Sequence, residues 1–248
     1  MREQYDSIAG KYNLDEVNDI LRKYVYFPTL KAYSSGLNME SVLDAGCGTG
    51  VYARKLKKMG AGTVIGIDVS EEMIALARSK EASSPLGIHY EVRNLETTSD
   101  LPRSTFVLAG FCLHYASNVE ALNHMCKKLA DALSEDGVLI AFNENPNIPL
   151  HEGIIYGVST TMDGLPKDGS TITRTHYDRL STRNYSFSHQ HYSFDTYQSA
   201  LLNAGFNKVE LKPFVVLPEA DNLFPEENWD LLRNNQYSIA VLVARKSV

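Results

Sequence analysis

The chain has 248 residues, of which 44% are hydrophobic and 22% are charged, a composition typical of a globular protein. Its formal net charge of −6 argues against a general binder of nucleic-acid phosphates. The three cysteines are widely spaced, so the sequence predicts neither a disulfide framework nor a zinc site. The chain opens without a signal-like apolar run, and none of its stretches approaches the ~20 apolar residues that span a bilayer. We therefore expect a cytoplasmic protein.

Short β-branched segments alternate with amphipathic segments between about residues 41 and 145. Strands are predicted at 42–46, 63–69, 87–94, 105–113 and 138–145, and helices at 51–61, 71–81 and 118–137, the last ending at a glycine stop. Ser70 is the expected N-cap of the second helix, because a serine hydroxyl accepts a hydrogen bond from the first turn. This alternation is typical of a parallel, doubly wound α/β sheet.

The alternation breaks between residues 146 and 192. The β-like pieces IIYGVSTT, STITRTHYD and RNYSFSHQHY predict an antiparallel β flap, inserted between the fifth strand and the next helix. A helix at 195–206 and strands at 208–217 and 237–246 would complete a seven-stranded sheet, mostly parallel with its last strand antiparallel. We accordingly divide the chain into an N-terminal helical cap (1–40), a core (41–145), the flap (146–192) and the completion of the sheet (193–248).

The segment VLDAGCGTG, at residues 42–50, places three glycines at alternate positions directly after the first predicted strand. In an open α/β sheet ligands bind beyond the carboxyl ends of the strands, and glycines let the backbone approach a ligand closely. The spacing GxGxG differs from the GxGxxG of dinucleotide-binding sites. Asp44, two residues before the first glycine, would repel a phosphate and favour a cation. The expected ligand is a nucleoside with a positively charged end.

The second predicted strand ends in another acid, Asp68. Its two carboxylate oxygens can accept hydrogen bonds from both hydroxyls of a ribose. An acid at this position is also expected of nicotinamide-dependent oxidoreductases. Together with the glycine segment, however, it favours the cationic nucleoside.

With VIGIDVSEEMIALAR, the glycine segment resembles the first two motifs of the class I S-adenosylmethionine-dependent methyltransferases. The resemblance covers roughly residues 5–145 and implies a Rossmann-like fold that binds S-adenosylmethionine, with S-adenosylhomocysteine as product. It implies that the glycine turn serves the methionyl end of the cofactor, that Asp68 holds the ribose and that Val69 and Met73 flank the adenine. The cofactor-binding residues predicted on this basis are Tyr5, Tyr12, Asp44, Ala45, Gly46, Gly48, Gly50, Asp68, Val69, Met73, Asn94, Leu95, Ala109 and Phe111.

Two further segments refine the resemblance. YDSIAGKY resembles the N-terminal helix that closes over the cofactor, and Asn94 stands where the family usually has an acid facing the adenine amino group. Tyr5 and Tyr12 would contact the methionine carboxylate or the sulfonium, with core packing as the alternative. YSFSHQHYSFDTYQSALLNAGF resembles, more narrowly, the toxoflavin-pathway type of small-molecule methyltransferase, which methylates a nitrogen heterocycle and has relatives that act on other natural products.

Methyl transfer from a sulfonium is an in-line displacement, and histidine is the usual base near neutral pH. His114 follows the fourth strand at the carboxyl edge, where it would contact the acceptor or cofactor, or else serve packing. His189 and His191 share the parity of Phe187, so they would line the acceptor pocket if that side of the flap faces inward. We predict catalytic roles for His114, His189 and His191, and substrate-binding roles for Asn143, Asn145, Tyr156 and Tyr192.

The sequence thus favours an enzyme that methylates nitrogen or oxygen of a small, planar acceptor. NENP, at 143–146, superficially resembles a loop of nucleic-acid adenine methyltransferases, but it follows the fifth strand rather than the fourth, so we expect no nucleic-acid partner. The alternatives are a nicotinamide-dependent oxidoreductase and a cofactor-binding protein with another role, such as a cyclase. We expect neither a metal nor a membrane partner, and a monomer or homodimer.

Overall fold

The computed structural model describes residues 6, 20–147, 153–162, 164–177, 184–223 and 229–246. Within these ranges a π-helical turn (Arg22–Tyr26) continues into helix α1 (Phe27–Ser34). The alternating region comprises β1 (Ser41–Ala45), α2 (Val51–Lys58), β2 (Thr63–Asp68), α3 (Glu71–Ser83), β3 (Ile88–Val92), β4 (Ser104–Gly110), a 3-10 turn (Leu113–Tyr115), α4 (Val119–Ala132) and β5 (Leu133–Glu144). The flap contributes β6 (Ile154–Ile155), β7 (Val158–Met162), β8 (Thr171–Tyr177) and β9 (Asn184–Gln190). The chain then forms α5 (Phe194–Ala204), β10 (Lys208–Lys212), α6 (Glu219–Leu223), α7 (Asp230–Arg233) and β11 (Ile239–Arg245).

The large sheet has seven strands in the order β10-β11-β5-β4-β1-β2-β3. Strand β1 pairs in parallel with β2 and β4, whereas β11 runs antiparallel to both of its neighbours. The predicted doubly wound sheet with an antiparallel last strand is therefore confirmed. Because the chain winds outward from β1 in both directions, the strand order reverses between β1 and β4, and open α/β sheets bind ligands at such a reversal.

Helices cover both faces of this sheet, so its central strands are apolar on both sides. In β4, Phe106 and Leu108 pack in the layer that includes residues of α1, α2 and α3, whereas Val107 and Ala109 pack against α4 and α5. The alternation follows from the period of two along a strand, and its near-continuous apolar sequence is typical of buried parallel strands.

The flap is a separate four-stranded antiparallel sheet in the order β6-β7-β8-β9. Its outer face carries hydroxyl pairs, such as Thr173 with Ser188, whose oxygens lie 2.9 Å apart. Its inner face carries buried side chains on β8, including Ile172 and Arg174. Strand alternation therefore gives the flap a polar outer side and an inner side that faces the rest of the protein.

Two helix ends carry the caps that their residues favour, and the one at Ser70 confirms the prediction. The Ser70 hydroxyl accepts a hydrogen bond from the backbone N–H of Met73 at 3.1 Å, and thereby caps α3. Gly205 ends α5 in the left-handed region, with a φ of 111°.

Other predicted boundaries were wrong. Helix α4 ends at Ala132 rather than Gly137, because Leu133 adopts an extended conformation and pairs with Ser104 as the first residue of β5. Strand β4 ends at Gly110 rather than residue 113, because Phe111 adopts a left-handed φ of 57°. The ladder of β10 stops at Lys212, before Pro213, which has no backbone N–H to donate.

Residues 1–5 and 7–19 of the predicted N-terminal cap lie outside the described residues, and they include Tyr5 and Tyr12. Asp6, which is described, accepts a hydrogen bond from the Ser70 hydroxyl just beyond β2. Asp6 therefore lies at the carboxyl edge of the sheet.

Candidate functional site

A cavity opens at the carboxyl edge of the sheet, where the strand order reverses. It encloses about 700 Å³, including space open to solvent, which is within the range of small-molecule sites. Eight of the predicted cofactor-binding residues line it: Gly46, Gly48, Asp68, Val69, Met73, Asn94, Leu95 and Phe111. They follow four different strands, because parallel strands bring their carboxyl ends to one edge.

The three glycines of the turn after β1 are required for different reasons. All three have positive φ values, of 71°, 51° and 78° for Gly46, Gly48 and Gly50. A Cβ on Gly46 would overlap the Cys112 side chain, and a Cβ on Gly50 would overlap the Tyr90 hydroxyl, whereas a Cβ on Gly48 would meet nothing within 4 Å. Protein packing therefore requires two of the glycines, and Gly48 leaves open space toward the cavity.

Asp68 ties the glycine turn to the end of β2. Its Oδ2 accepts a hydrogen bond from the Gly48 N–H at 2.8 Å, and its Oδ1 accepts one from the Ser70 N–H at 2.9 Å. Burial raises the pKa of Asp68, an effect opposed by the N–H groups of Ser70 and Gly48. A carboxylate oxygen has lone pairs for more than one donor, so each can still accept from a ligand.

Asp44 lies beneath the turn and does not line the cavity. Its side chain is fully buried, and neither carboxylate oxygen has a hydrogen-bond partner among the described residues. Burial raises the pKa of Asp44 to about 7, despite the nearby N–H of Ala53, and the charge of Asp68 adds to the increase. Three other predicted residues, Ala45, Gly50 and Ala109, likewise do not line the cavity.

A second cavity of about 520 Å³ adjoins the first. Phe111 and Tyr115 line both cavities and so form the partition between them. The walls of the second cavity include the aromatic rings of Tyr26, Tyr52 and Phe187. Its polar lining comprises Arg22, His114, Glu144, Arg174, His176 and His189.

The predicted residues His114 and His189 meet in this second cavity, with ring centroids 4.4 Å apart. His114 Nδ1 lies 2.9 Å from Asn143 Oδ1. Because that oxygen only accepts hydrogen bonds, the contact places the proton on Nδ1 and the lone pair on Nε2. Burial, and the proximity of His189, lower the pKa of His114 well below its usual value, so the ring is neutral at pH 7. The predicted residue Asn143 thus acts on His114 rather than lining the cavity itself.

Glu144 and Arg174 form a buried ion pair next to His189. Glu144 Oε1 lies 2.7 Å from Arg174 Nε and 3.0 Å from His189 Nε2, although neither N–H is aligned for a good hydrogen bond. Burial by itself would raise the pKa of Glu144, but Arg174 and His189 outweigh it and lower the pKa to about 2. Glu144 is therefore ionised over the whole physiological range of pH.

Four predicted residues that the structure describes, Asn145, Tyr156, Tyr192 and His191, line neither cavity. Asn145 donates to the carbonyl oxygens of Asn235 and Tyr237, and Tyr156 stacks on Trp229 at 5.0 Å. Tyr192 donates to the carbonyl of Ala116 at 2.7 Å, within the layer of α4 and α5. His191 follows the end of β9, where its backbone N–H donates to the carbonyl of Ser170 at 2.8 Å. The geometry favours structural roles for these four predicted residues.

The sequence analysis missed Tyr115, Glu144 and Arg174. The sequence pattern could have indicated Arg174, because it alternates with Ile172 and His176 along β8. These residues lie on the same face of the flap as His189, which was predicted to face inward. A charged residue at such a position requires a buried partner. Glu144 lies between two asparagines that were predicted, but only the cross-strand placement shows that it is the partner.

The described residues offer neither a metal site nor a membrane-spanning helix. Among the described residues, no group of three or more His, Cys, Asp or Glu side chains is placed to hold a metal ion. Over the same ranges, no helix combines the length and apolar character needed to cross a bilayer.

Comparisons with known proteins agree on one class. Residues 42–137 match a family model described as a methyltransferase domain. The chain is similar to a ubiquinone biosynthesis O-methyltransferase from Coxiella burnetii, with 30% identity over 162 residues and 64% of each chain covered. The chain spans less than two thirds of the length of the first curated relatives that it matches. The aligned part covers 53% of a protein from Haemophilus influenzae and 64% of the Coxiella protein.

Two solved structures are similar over nearly the whole chain. An S-adenosylmethionine-dependent methyltransferase from Mesorhizobium loti superimposes with a TM-score of 0.62 at 23% identity, covering 88% of this chain and 96% of that one. A putative enzyme of the same description from Listeria monocytogenes gives a TM-score of 0.56 at 25% identity, covering 98% and 99%.

Proposed function

We propose that this chain, whose residues 42–137 match a methyltransferase domain, is a class I S-adenosylmethionine-dependent enzyme that methylates nitrogen or oxygen of a small, planar acceptor. The observation that carries the proposal is the pair of adjoining cavities, which share Phe111 and Tyr115. One has the lining expected for a cationic nucleoside, and the other has aromatic walls and a histidine pair. Such an arrangement suits a reaction between two bound molecules.

The residues of the first cavity fit S-adenosylmethionine. The open space at Gly48 admits a ligand close to the backbone, and Asp68 has acceptor capacity left for a ribose diol. The buried, unpartnered carboxylate of Asp44 would be stabilised in its charged form by a cation held above the turn. We assign Val69, Met73, Asn94 and Leu95 to the adenosine and Phe111 to the methyl end.

The acceptor is assigned to the second cavity. Flat walls formed by Tyr26, Tyr52 and Phe187 favour a planar aromatic or heterocyclic molecule, through ring stacking and edge contacts. The narrower resemblance to toxoflavin-pathway methyltransferases points to the same class of acceptor. The acidic chain and the enclosed shape of the cavity argue against a nucleic-acid acceptor.

The chain's own contribution to the chemistry is orientation and proton handling. When bound, S-adenosylmethionine supplies an electrophilic methyl group attached to a sulfonium. Phe111 and Tyr115 set the approach between the cavities, and alignment of this kind contributes ~7–11 kcal/mol to catalysis. The Nε2 lone pair of His114 accepts a hydrogen bond from the acceptor, because Nδ1 is engaged by Asn143.

Calorimetric titration of S-adenosylmethionine tests the first cavity. We expect saturable binding that the Asp68→Ala variant weakens by roughly 10- to 100-fold, since a hydrogen bond to a charged group contributes ~1.5–3 kcal/mol. Asp136→Ala, at a polar residue remote from both cavities, is the control. Unchanged affinity in Asp68→Ala would overturn the ribose assignment.

A thermal-shift comparison separates the nicotinamide alternative. S-adenosylmethionine at 100 times its dissociation constant should stabilise the protein by ~2.7 kcal/mol, whereas NADH should not. Methyl-release assays on phenols and nitrogen heterocycles then distinguish a transferase from a protein that only binds the cofactor. Binding without any methylated product would favour the latter.

A further inference from the structure

We propose that Glu144 and Arg174 are positioning residues of the second cavity, which orient its two histidines toward a neutral acceptor that bears an exchangeable proton, such as a phenol or an N–H azole. The inference rests on the proposed function for its chemistry. Its structural part, the orientation of the histidines, stands apart from that function. Neither residue belongs to the methyl-donor cavity.

The ion pair joins two parts of the fold. Glu144 ends β5 in the large sheet, whereas Arg174 and His189 lie on β8 and β9 of the flap. A single oxygen, Glu144 Oε1, contacts both flap residues, at 2.7 and 3.0 Å. Arg174 also donates to the Ser238 hydroxyl at 3.0 Å, next to β11. One carboxylate thus holds two flap strands against the core.

The side chains of this cluster are almost completely removed from water. The side chains of Glu144, Arg174 and His189 are 4%, 9% and 0% exposed. A buried charge is retained only with a partner, and replacing such a pair by apolar residues is often neutral or stabilising. Retaining charge here therefore indicates a role in orientation. The two charges cancel, so the pair adds no net charge to the cavity.

The contacts of the two rings set their protonation pattern. Glu144 Oε1, an anionic acceptor 3.0 Å from His189 Nε2, favours a proton there over Nδ1, which lies 3.4 Å from the neutral carbonyl oxygen of Gln190. Asn143 similarly places the proton of His114 on Nδ1. The rings are in contact, at 4.4 Å between centroids, so fixing His189 also fixes the plane of His114. The His114 Nε2 lone pair is then held toward the cavity.

This arrangement selects the acceptor by its proton. As the acceptor's oxygen or nitrogen forms its bond to the methyl carbon, the methyl–sulfur bond breaks, and its electron pair goes to sulfur. The acceptor's proton goes to His114 Nε2, and the negative charge of Glu144 stabilises the resulting imidazolium. An alkylammonium would instead place a cation beside a cavity in which the one carboxylate among the described lining residues, Glu144, is already paired with Arg174.

The experiment has a spectroscopic and a kinetic arm. Long-range ¹H–¹⁵N correlation spectra of the imidazoles report which nitrogen carries each proton, and His114→Asn and His189→Asn variants assign the signals. We expect the wild-type chain to show His189 protonated on Nε2 and His114 on Nδ1. The Glu144→Leu/Arg174→Met variant, which removes both charges together, should lose the preference at His189 and keep that at His114.

The kinetic arm uses substituted phenols and N–H azoles as acceptors, with benzylamine as the contrasting amine. Glu144→Gln and the double variant should lower kcat by roughly 10²-fold, with little change in KM for S-adenosylmethionine. Thr173→Val, on the outer face of β8, is the matched control, and it should change neither the imidazole spectra nor kcat.

The proposal is overturned if wild-type His189 carries its proton on Nδ1, or if the folded double variant keeps wild-type spectra and kcat. Turnover of benzylamine in preference to phenols and azoles would overturn the acceptor class. If the double variant does not fold, the wild-type spectra and the kinetics of Glu144→Gln still decide. If no acceptor is methylated at all, the proposed function fails while the spectra continue to test the positioning role.

Discussion

The two cavities are built in different ways. The first is lined mainly by the turns after strands β1 to β4, and its key contacts, such as Gly48 N–H to Asp68, join the ends of neighbouring strands. The second is lined by side chains from β5, β8, β9 and the turn after β4, joined across the flap and the core. The first therefore depends on local backbone conformation, and the second depends on how the flap docks.

Breaking the ion pair should have the largest effect, because it leaves Glu144 buried without its partner. We expect Arg174→Met to destabilise the protein by ~3–5 kcal/mol, measured by urea unfolding. Glu144→Leu/Arg174→Met should recover most of that loss. A loss below 1 kcal/mol in Arg174→Met would mean that the flap docks without this pair.

Asp44 allows a test of the first cavity by pH. The pKa of Asp44 is about 7 in the folded state, above its ordinary value of 3.8. Between pH 3.8 and pH 7 the carboxyl group is therefore protonated in the folded protein and ionised in the unfolded chain. Stability should therefore fall as pH rises from 4 to 7, by at most about 4 kcal/mol. Asp44→Asn should remove this contribution from unfolding measured across that range, whereas the contribution of Asp68, whose pKa is also raised by burial, should persist. An unchanged pH dependence would contradict the burial of an ionisable group there.

Two glycines of the turn after β1 can be used to distinguish an effect on protein packing from an effect on ligand binding. Gly46→Ala should destabilise strongly, since the new Cβ would overlap Cys112, whereas Gly48→Ala should cost only the ~1–2 kcal/mol of a left-handed alanine. Gly48→Ala should nevertheless weaken binding of S-adenosylmethionine, measured by calorimetry. Equal stability losses at both positions would remove the distinction.

Tyr192 gives the smallest expected effect. Its hydroxyl donates to the Ala116 carbonyl, so Tyr192→Phe should lose about 1 kcal/mol of stability in thermal unfolding. Its kcat and KM should stay at wild-type values. A raised KM for the acceptor would instead support the substrate-binding role first predicted for this residue.

The amino-acid sequence by itself determined the doubly wound sheet, the glycine turn and the acid at the end of β2. These features depend on local periodicity and on residues with restricted or permissive backbones, which act over short stretches of chain. Even so, periodicity missed the end of α4, because pairing of Leu133 with Ser104 overrides the local helical pattern.

Only the tertiary structure decided which polar residues meet. Four residues were reasonable candidates by position but make structural contacts instead, through hydrogen bonds to the backbone or ring stacking: Asn145, Tyr156, Tyr192 and His191. Glu144 and Arg174 are 30 residues apart and become partners through the docking of β8 on the end of β5. The free energy that selects such a pair comes from burial and charge pairing between distant segments, which no local pattern encodes.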